Sequence, residues 1–121
     1  MATLTLLRAA RLSGARAFDA VFREGRRYGG RCCAAKIRRN GLAITRIGLA
    51  VRRGADGAVG RNRVKRRLRE AFRLARPGLP PGLDVVLQPT HATEAAPMAE
   101  LSAEIGRLCA RAAEDAKLGA P

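Results

Sequence analysis

Residues 58–76 read AVGRNRVKRRLREAFRLAR. The stretch has no proline and is rich in good helix formers, so it predicts one continuous α-helix. Val64, Leu68, Ala71, Phe72 and Ala75 recur at i, i+4, i+7, i+8 and i+11 and form a single apolar stripe for packing. Asp56, just upstream, is the expected N-cap or first-turn acid. Arg73 and Arg76 occupy the last turn, and Pro77-Gly78 stops the helix. Away from the stripe the segment is basic. From Arg52 to Arg76 ten cations stand against Asp56 and Glu70, a balance of +8. Arg63/Arg67, Lys65/Arg69 and Arg69/Arg73 place like charges at i, i+4, where each pair costs roughly 0.2–0.5 kcal/mol. Helix stability does not account for such a pattern, whereas ordered contact with phosphates does. Arg61 falls by angle near the apolar stripe, so it either snorkels or the helix begins later. Asn62 either bonds a base edge, ribose or phosphate, or satisfies backbone groups at the helix start.

Working outward, residues 43–51 alternate in the manner of a strand, and residues 31–38 form a shorter, mixed one. Asn40-Gly41 between them predicts a hairpin, because both residues tolerate positive φ. Residues 26–29 allow further strand. Residues 15–23 predict a short helix with Phe18 and Phe22 at i, i+4, ended by Glu24-Gly25. Residues 1–14 read as irregular and basic. Downstream, residues 79–82 are a Pro/Gly connector, and the run Leu83-Asp84-Val85-Val86-Leu87 is a short buried strand. A last helix starts at Thr93 or Glu94, with Pro97 in its first turn and Met98, Leu101, Ile105, Leu108 and Ala112 as its stripe. The tail is expected to fray from Lys117. This order indicates an α+β fold with helices packed on a sheet, in a single domain spanning residues 1–121.

The chain has 121 residues, 47% of them apolar, enough for a real core. That core is aliphatic, since the aromatics are Phe18, Phe22, Phe72 and Tyr28 alone. Lys and Arg number 24 against 10 Asp and Glu, a net charge of +14 that favours an anionic partner. Nucleic acid fits better than a membrane surface, because Leu68 and Phe72 are needed for the core. No segment approaches the roughly 20 apolar residues of a membrane span. Cys32, Cys33 and Cys109 have no zinc-site spacing and read as reduced, partly buried thiols. His91 sits in an expected loop, the acids are scattered, and no catalytic or metal-binding constellation emerges.

The run Ala58-Val59-Gly60-Arg61-Asn62-Arg63-Val64-Lys65-Arg66-Arg67-Leu68-Arg69-Glu70 resembles the signature of the bacterial ribonuclease P protein component. Arg46-Ile47-Gly48-Leu49-Ala50-Val51 and Phe18-Asp19-Ala20-Val21-Phe22-Arg23-Glu24-Gly25 resemble its preceding strand and N-terminal motif, and Asp84-Val85-Val86 the strand that follows. The resemblance runs over about residues 16–115 in order. It implies a two-layer α/β sandwich, helix–three strands–helix–strand–helix, with a left-handed β-α-β crossover, in the class of ribosomal protein S5 domain 2. It implies a cytoplasmic bacterial protein that carries no catalytic residue. Its partners would be the ribonuclease P RNA, which is the catalyst, and the 5′ leader of precursor tRNA. No membrane and no small-molecule substrate is expected. Mg2+ would serve the holoenzyme, held mainly by RNA and not by the protein alone.

By the same resemblance, Arg52, Arg53, Arg61, Asn62, Arg63, Lys65, Arg66 and Arg69 contact the RNA subunit. Phe18, Phe22, Tyr28, Lys36 and Arg46 line the leader cleft, where aromatic faces stack unpaired bases. Periodicity alone reads Phe18 and Phe22 as core, and both readings stand at this point. Gly54 replaces a frequent further Lys, Lys36 stands where some members carry an aromatic, and Gln88-Pro89-Thr90 replaces a segment that often carries Arg. The alternative from composition is a structural ribosomal or general RNA-binding protein.

Overall fold

The structure is a computed structural model that describes residues 10–52 and 57–121. The expected Asp56 cap lies outside the described residues. Three helices, α1 (Ala15–Glu24), α2 (Gly57–Ala75) and α3 (Met98–Glu114), surround four strands, β1 (Arg26–Gly29), β2 (Cys33–Arg39), β3 (Arg46–Leu49) and β4 (Leu83–Pro89). The strand order is β1-β2-β4-β3, with β1/β2 and β2/β4 antiparallel and β3/β4 parallel. The expected α+β class and element order both hold.

Position β4 explains its sequence. As an interior strand it is covered on both faces, so Leu83, Asp84, Val85, Val86 and Leu87 are all buried. A strand buried on both faces loses the apolar/polar alternation. The same placement corrects the hairpin expected at Asn40-Gly41. β4 lies between β2 and β3, so these strands do not pair. Gly41 does take positive φ, +73°, but the Asn40 side-chain amide donates to Ile44 O at 3.2 Å and to Asp84 Oδ1 at 2.8 Å. The turn is therefore anchored to β4 and carries the chain past it. The neighbouring hairpin is β1/β2, and buried Glu104 of α3 closes its loop. The Glu104 carboxylate accepts from the Arg31 and Cys32 N–H groups at 2.7 and 3.1 Å. Gly30 permits that approach, because a Cβ there would stand 2.5 Å from the carboxyl carbon.

The two faces of the sheet carry different helices. Tyr28, Ala35, Leu87 and their alternates pack with Leu68 and Phe72 of α2 and Ile105 and Leu108 of α3 in the main core. The sheet and the α2/α3 pair thus make the two-layer sandwich. On the other face Val86 packs with Val21 of α1 and with Leu12. Ahead of α1, residues 10–12 form a strap along the outer strand, with Leu12 N–H donating to Ile47 O and Ile47 N–H to Ala10 O, both at 2.7 Å.

Helix boundaries follow local chemistry. α2 starts at Gly57, so the later start considered for Arg61 is ruled out, and a single 3₁₀ turn over Arg76–Gly78 ends it at Pro77. α3 starts at Met98, later than expected. Ala96 precedes a proline and is disfavoured in the helical region. Thr93, moreover, is buried and donates its hydroxyl to Cys32 O at 2.6 Å instead of capping a helix. Order continues past Lys117, contrary to the expected fraying. Residues Ala116–Leu118 form a 3₁₀ turn capped by Asp115, and Leu118 is buried. The cysteines are free and fully buried, beyond the partial burial expected. Among the described residues no helix is long and apolar enough to cross a membrane.

Candidate nucleic-acid interface

Leu68, Ala71 and Phe72 are buried, which fixes the rotation of α2 and sorts its cations onto two flanks. One flank is used internally. Arg67 donates through Nε to Thr93 O at 3.1 Å and through Nη2 to Ala96 O, pinning the turn that precedes α3. Arg63 is exposed and pairs with Glu94 at 2.8 Å. The other flank carries Lys65, Arg66 and Arg69. Among the described residues these three have no ion-pair partner, and Arg66 and Arg69 are exposed. Arg73, beside them, is engaged by Glu70 at 2.6 Å, which holds the Glu70 carboxyl below its ordinary range. The protein itself therefore offsets part of the like-charge repulsion along α2 and leaves a single cationic strip.

The remaining residues expected at an RNA interface divide further. Asn62 and Arg52 are exposed. Arg61 is half-buried, and its Nε is buried without a hydrogen-bond partner, as its angle near the apolar stripe foretold. Arg53 lies outside the described residues.

The strip borders a cavity of about 400 Å³. Lys65, Arg66 and Arg69 face, across it, Arg11 and Leu12 of the strap and Phe18 of α1. Its floor is β3. Gly48 lets the Phe18 ring lie on the strand backbone, since a Cβ there would stand 2.5 Å from Phe18 Cζ. A glycine inside a strand often marks such a close approach, and this is the sequence signal that pointed here unread. Arg11 came with no comparable signal.

The aromatic and basic residues expected to line a cleft are only partly assembled. Phe18, Phe22, Lys36 and Arg46 all belong to the α1 side. Lys36, Val86 and Gly48 share one register level beneath α1, and Phe22 is 41% exposed, so it is not core. Tyr28 is the correction. It pairs with Ala35, which in turn pairs with Leu87, points into the α2/α3 core, and donates its hydroxyl to Asp115 Oδ2 at 2.7 Å. Burial, then Asp115, pushes its pKa up to about 12. Arg111 lies over its ring at 5.7 Å. Strand alternation puts Tyr28 on the opposite face from Lys36.

Arg46 is on the expected face but is occupied. Its Nε and Nη2 donate to the two Asp84 oxygens, each at 2.8 Å. Asp84 is fully buried and also meets Arg38 Nε at 3.7 Å, while Arg38 reaches Glu24 at the end of α1 at 3.1 Å. This cluster joins β2, β3, β4 and α1 and is nearly neutral, so it serves as a clamp between elements. His91 is exposed in the turn before α3. Among the described residues no three His, Cys, Asp or Glu side chains converge as a metal site.

A family model described as ribonuclease P matches residues 6–113. The ribonuclease P protein component of Natranaerobius thermophilus is 40% identical over 70 residues, 58% of this chain and 61% of that protein. That of Roseiflexus castenholzii is 38% identical over 108 residues, 87% of each. Among solved structures, the ribonuclease P protein from Thermotoga maritima matches with a TM-score of 0.73 at 28% identity, covering 84% of this chain and 96% of that one.

Proposed function

The chain belongs to the ribonuclease P protein family, and we propose that it serves as the protein subunit of a bacterial ribonuclease P, binding the RNA subunit and the 5′ leader of precursor tRNA during tRNA 5′-end maturation. The observation that carries this reading is the strip of Lys65, Arg66 and Arg69, held outward by the buried Leu68 and Phe72 and without acidic partners among the described residues. Such a strip gains by displacing counterions from a phosphate backbone, which makes binding steeply salt-dependent. Asn62, one turn earlier and exposed, extends it. Phe22, exposed on α1, and Lys36 beneath that helix suit a single strand running beside α1. The protein supplies affinity and charge screening. In this reading magnesium serves the holoenzyme and is held mainly by the RNA.

The test is multiple-turnover cleavage of precursor tRNA by a bacterial ribonuclease P RNA at low magnesium, with and without the protein, plus a protein-only control. Cleavage is expected only when both components are present, and to fall when Arg63, Lys65 or Arg66 is reversed to Glu. Tight RNA binding without rescue would replace this reading with a ribosomal or general RNA-binding role. Cleavage by the protein alone would overturn its non-catalytic assignment.

A further inference from the structure

The cavity between the strap, α1, β3 and α2 has two chemistries in one place. Its inner surface is apolar, made by Leu12, Phe18, Ile47 and Leu49 over the bare backbone of Gly48. Its rim is cationic, with Arg11 on one side and Lys65, Arg66 and Arg69 on the other. The one acid in the lining, Glu70, is bound to Arg73 and leaves the rim uncompensated. At about 400 Å³ the space falls within the roughly 300–1,000 Å³ of small-ligand sites.

A phosphate alone needs the rim and not the slot, and an apolar ligand needs the slot and not the rim. A flat ring joined to a phosphate uses both, with the ring on the Phe18 side and the phosphate among the α2 cations. We infer that this cavity is a single-nucleotide pocket, receiving one base on its apolar floor and the attached phosphate on Lys65 and Arg69. The inference deepens the RNA-binding reading and rests on it. The nucleotide is either carried on an RNA strand and turned out of its stack, or free in solution.

The two sources are separated by titrating adenosine 5′-monophosphate and single-stranded hexaadenylate into the full chain by calorimetry, with inorganic phosphate and adenosine as controls. Leu49→Trp fills the slot and keeps every cation, while Arg11→Ala opens the rim and keeps the floor. Thermal midpoints and binding of an RNA duplex report whether each variant is folded with its basic strip intact. The monophosphate is expected to bind at least tenfold more tightly than phosphate or adenosine. Leu49→Trp should weaken it at least tenfold with duplex binding unchanged, and Arg11→Ala should weaken it several-fold. If only hexaadenylate binds and Leu49→Trp weakens it, the pocket takes a strand-borne nucleotide. Phosphate binding as tightly as the monophosphate overturns the pocket, as does a folded Leu49→Trp variant that holds both ligands like the parent. Should Leu49→Trp not fold, an unchanged affinity in Arg11→Ala overturns it instead. In each of these failures, persistent salt-dependent binding to ribonuclease P RNA leaves the RNA-binding reading standing, and its absence removes both.

Discussion

Asp84 carries more of the structure than its sequence neighbourhood suggests. It is wholly buried, doubly bonded to Arg46 and bonded by Asn40. Removing one partner of a buried pair costs about 3–5 kcal/mol, and Asp84→Ala should fall near the low end because Arg38 and Arg46 both reach water. Urea unfolding measures this, and a loss below about 1 kcal/mol would deny the clamp. Tyr28 makes a pH-dependent contribution. Its folded pKa of about 12 lies above the roughly 10 of an unfolded chain. A raised pKa gives stability that is complete below the unfolded value and is lost as pH rises through the folded one. Thermal midpoints should therefore fall between about pH 10 and 12, less steeply in Tyr28→Phe. Equal slopes would exclude Tyr28 as the source. Burial likewise drives Cys33 and Cys109 up to about 12, so their loss begins at lower pH.

Among the elements, α2 was the most legible, because its apolar period and its Pro77-Gly78 stop are local signals. What stayed hidden was long-range. The run Leu83–Leu87 read as buried, but burial on both faces also meant an interior position, which excludes a β2/β3 hairpin whatever Asn40-Gly41 favours locally. Tyr28 was misplaced for a related reason. Which face a strand residue takes depends on its register with β2, and the sequence carried no marker of that register. The division of α2's cations was equally invisible, since Arg67 and Arg66 are neighbours in a single basic run. Their roles should separate on mutation. Arg67→Ala should lower stability by about 1–3 kcal/mol, because the carbonyls of Thr93 and Ala96 lose a charged donor. Arg66→Ala should leave the thermal midpoint unchanged and reduce the salt slope of RNA binding by about one. Interchanged effects would reverse the assignment of the two flanks.

At the scale of the molecule, a net charge of +14 on 121 residues opposes compaction. Anions that bind only the folded chain should raise its thermal midpoint, sulfate or phosphate first and RNA more strongly. A midpoint indifferent to all three would mean that the cations do not act together. The sheet's outer strands raise a different matter. An outermost strand presents unpaired peptide groups that can recruit another chain. The strap over residues 10–12 occupies that position beside β3 with two short hydrogen bonds, and at the opposite side β1 is only four residues long and begins with two arginines. With both edges blunted in this way, the sheet offers little free backbone for strand-to-strand addition, so the same short segment that walls the cavity also covers an edge of the sheet.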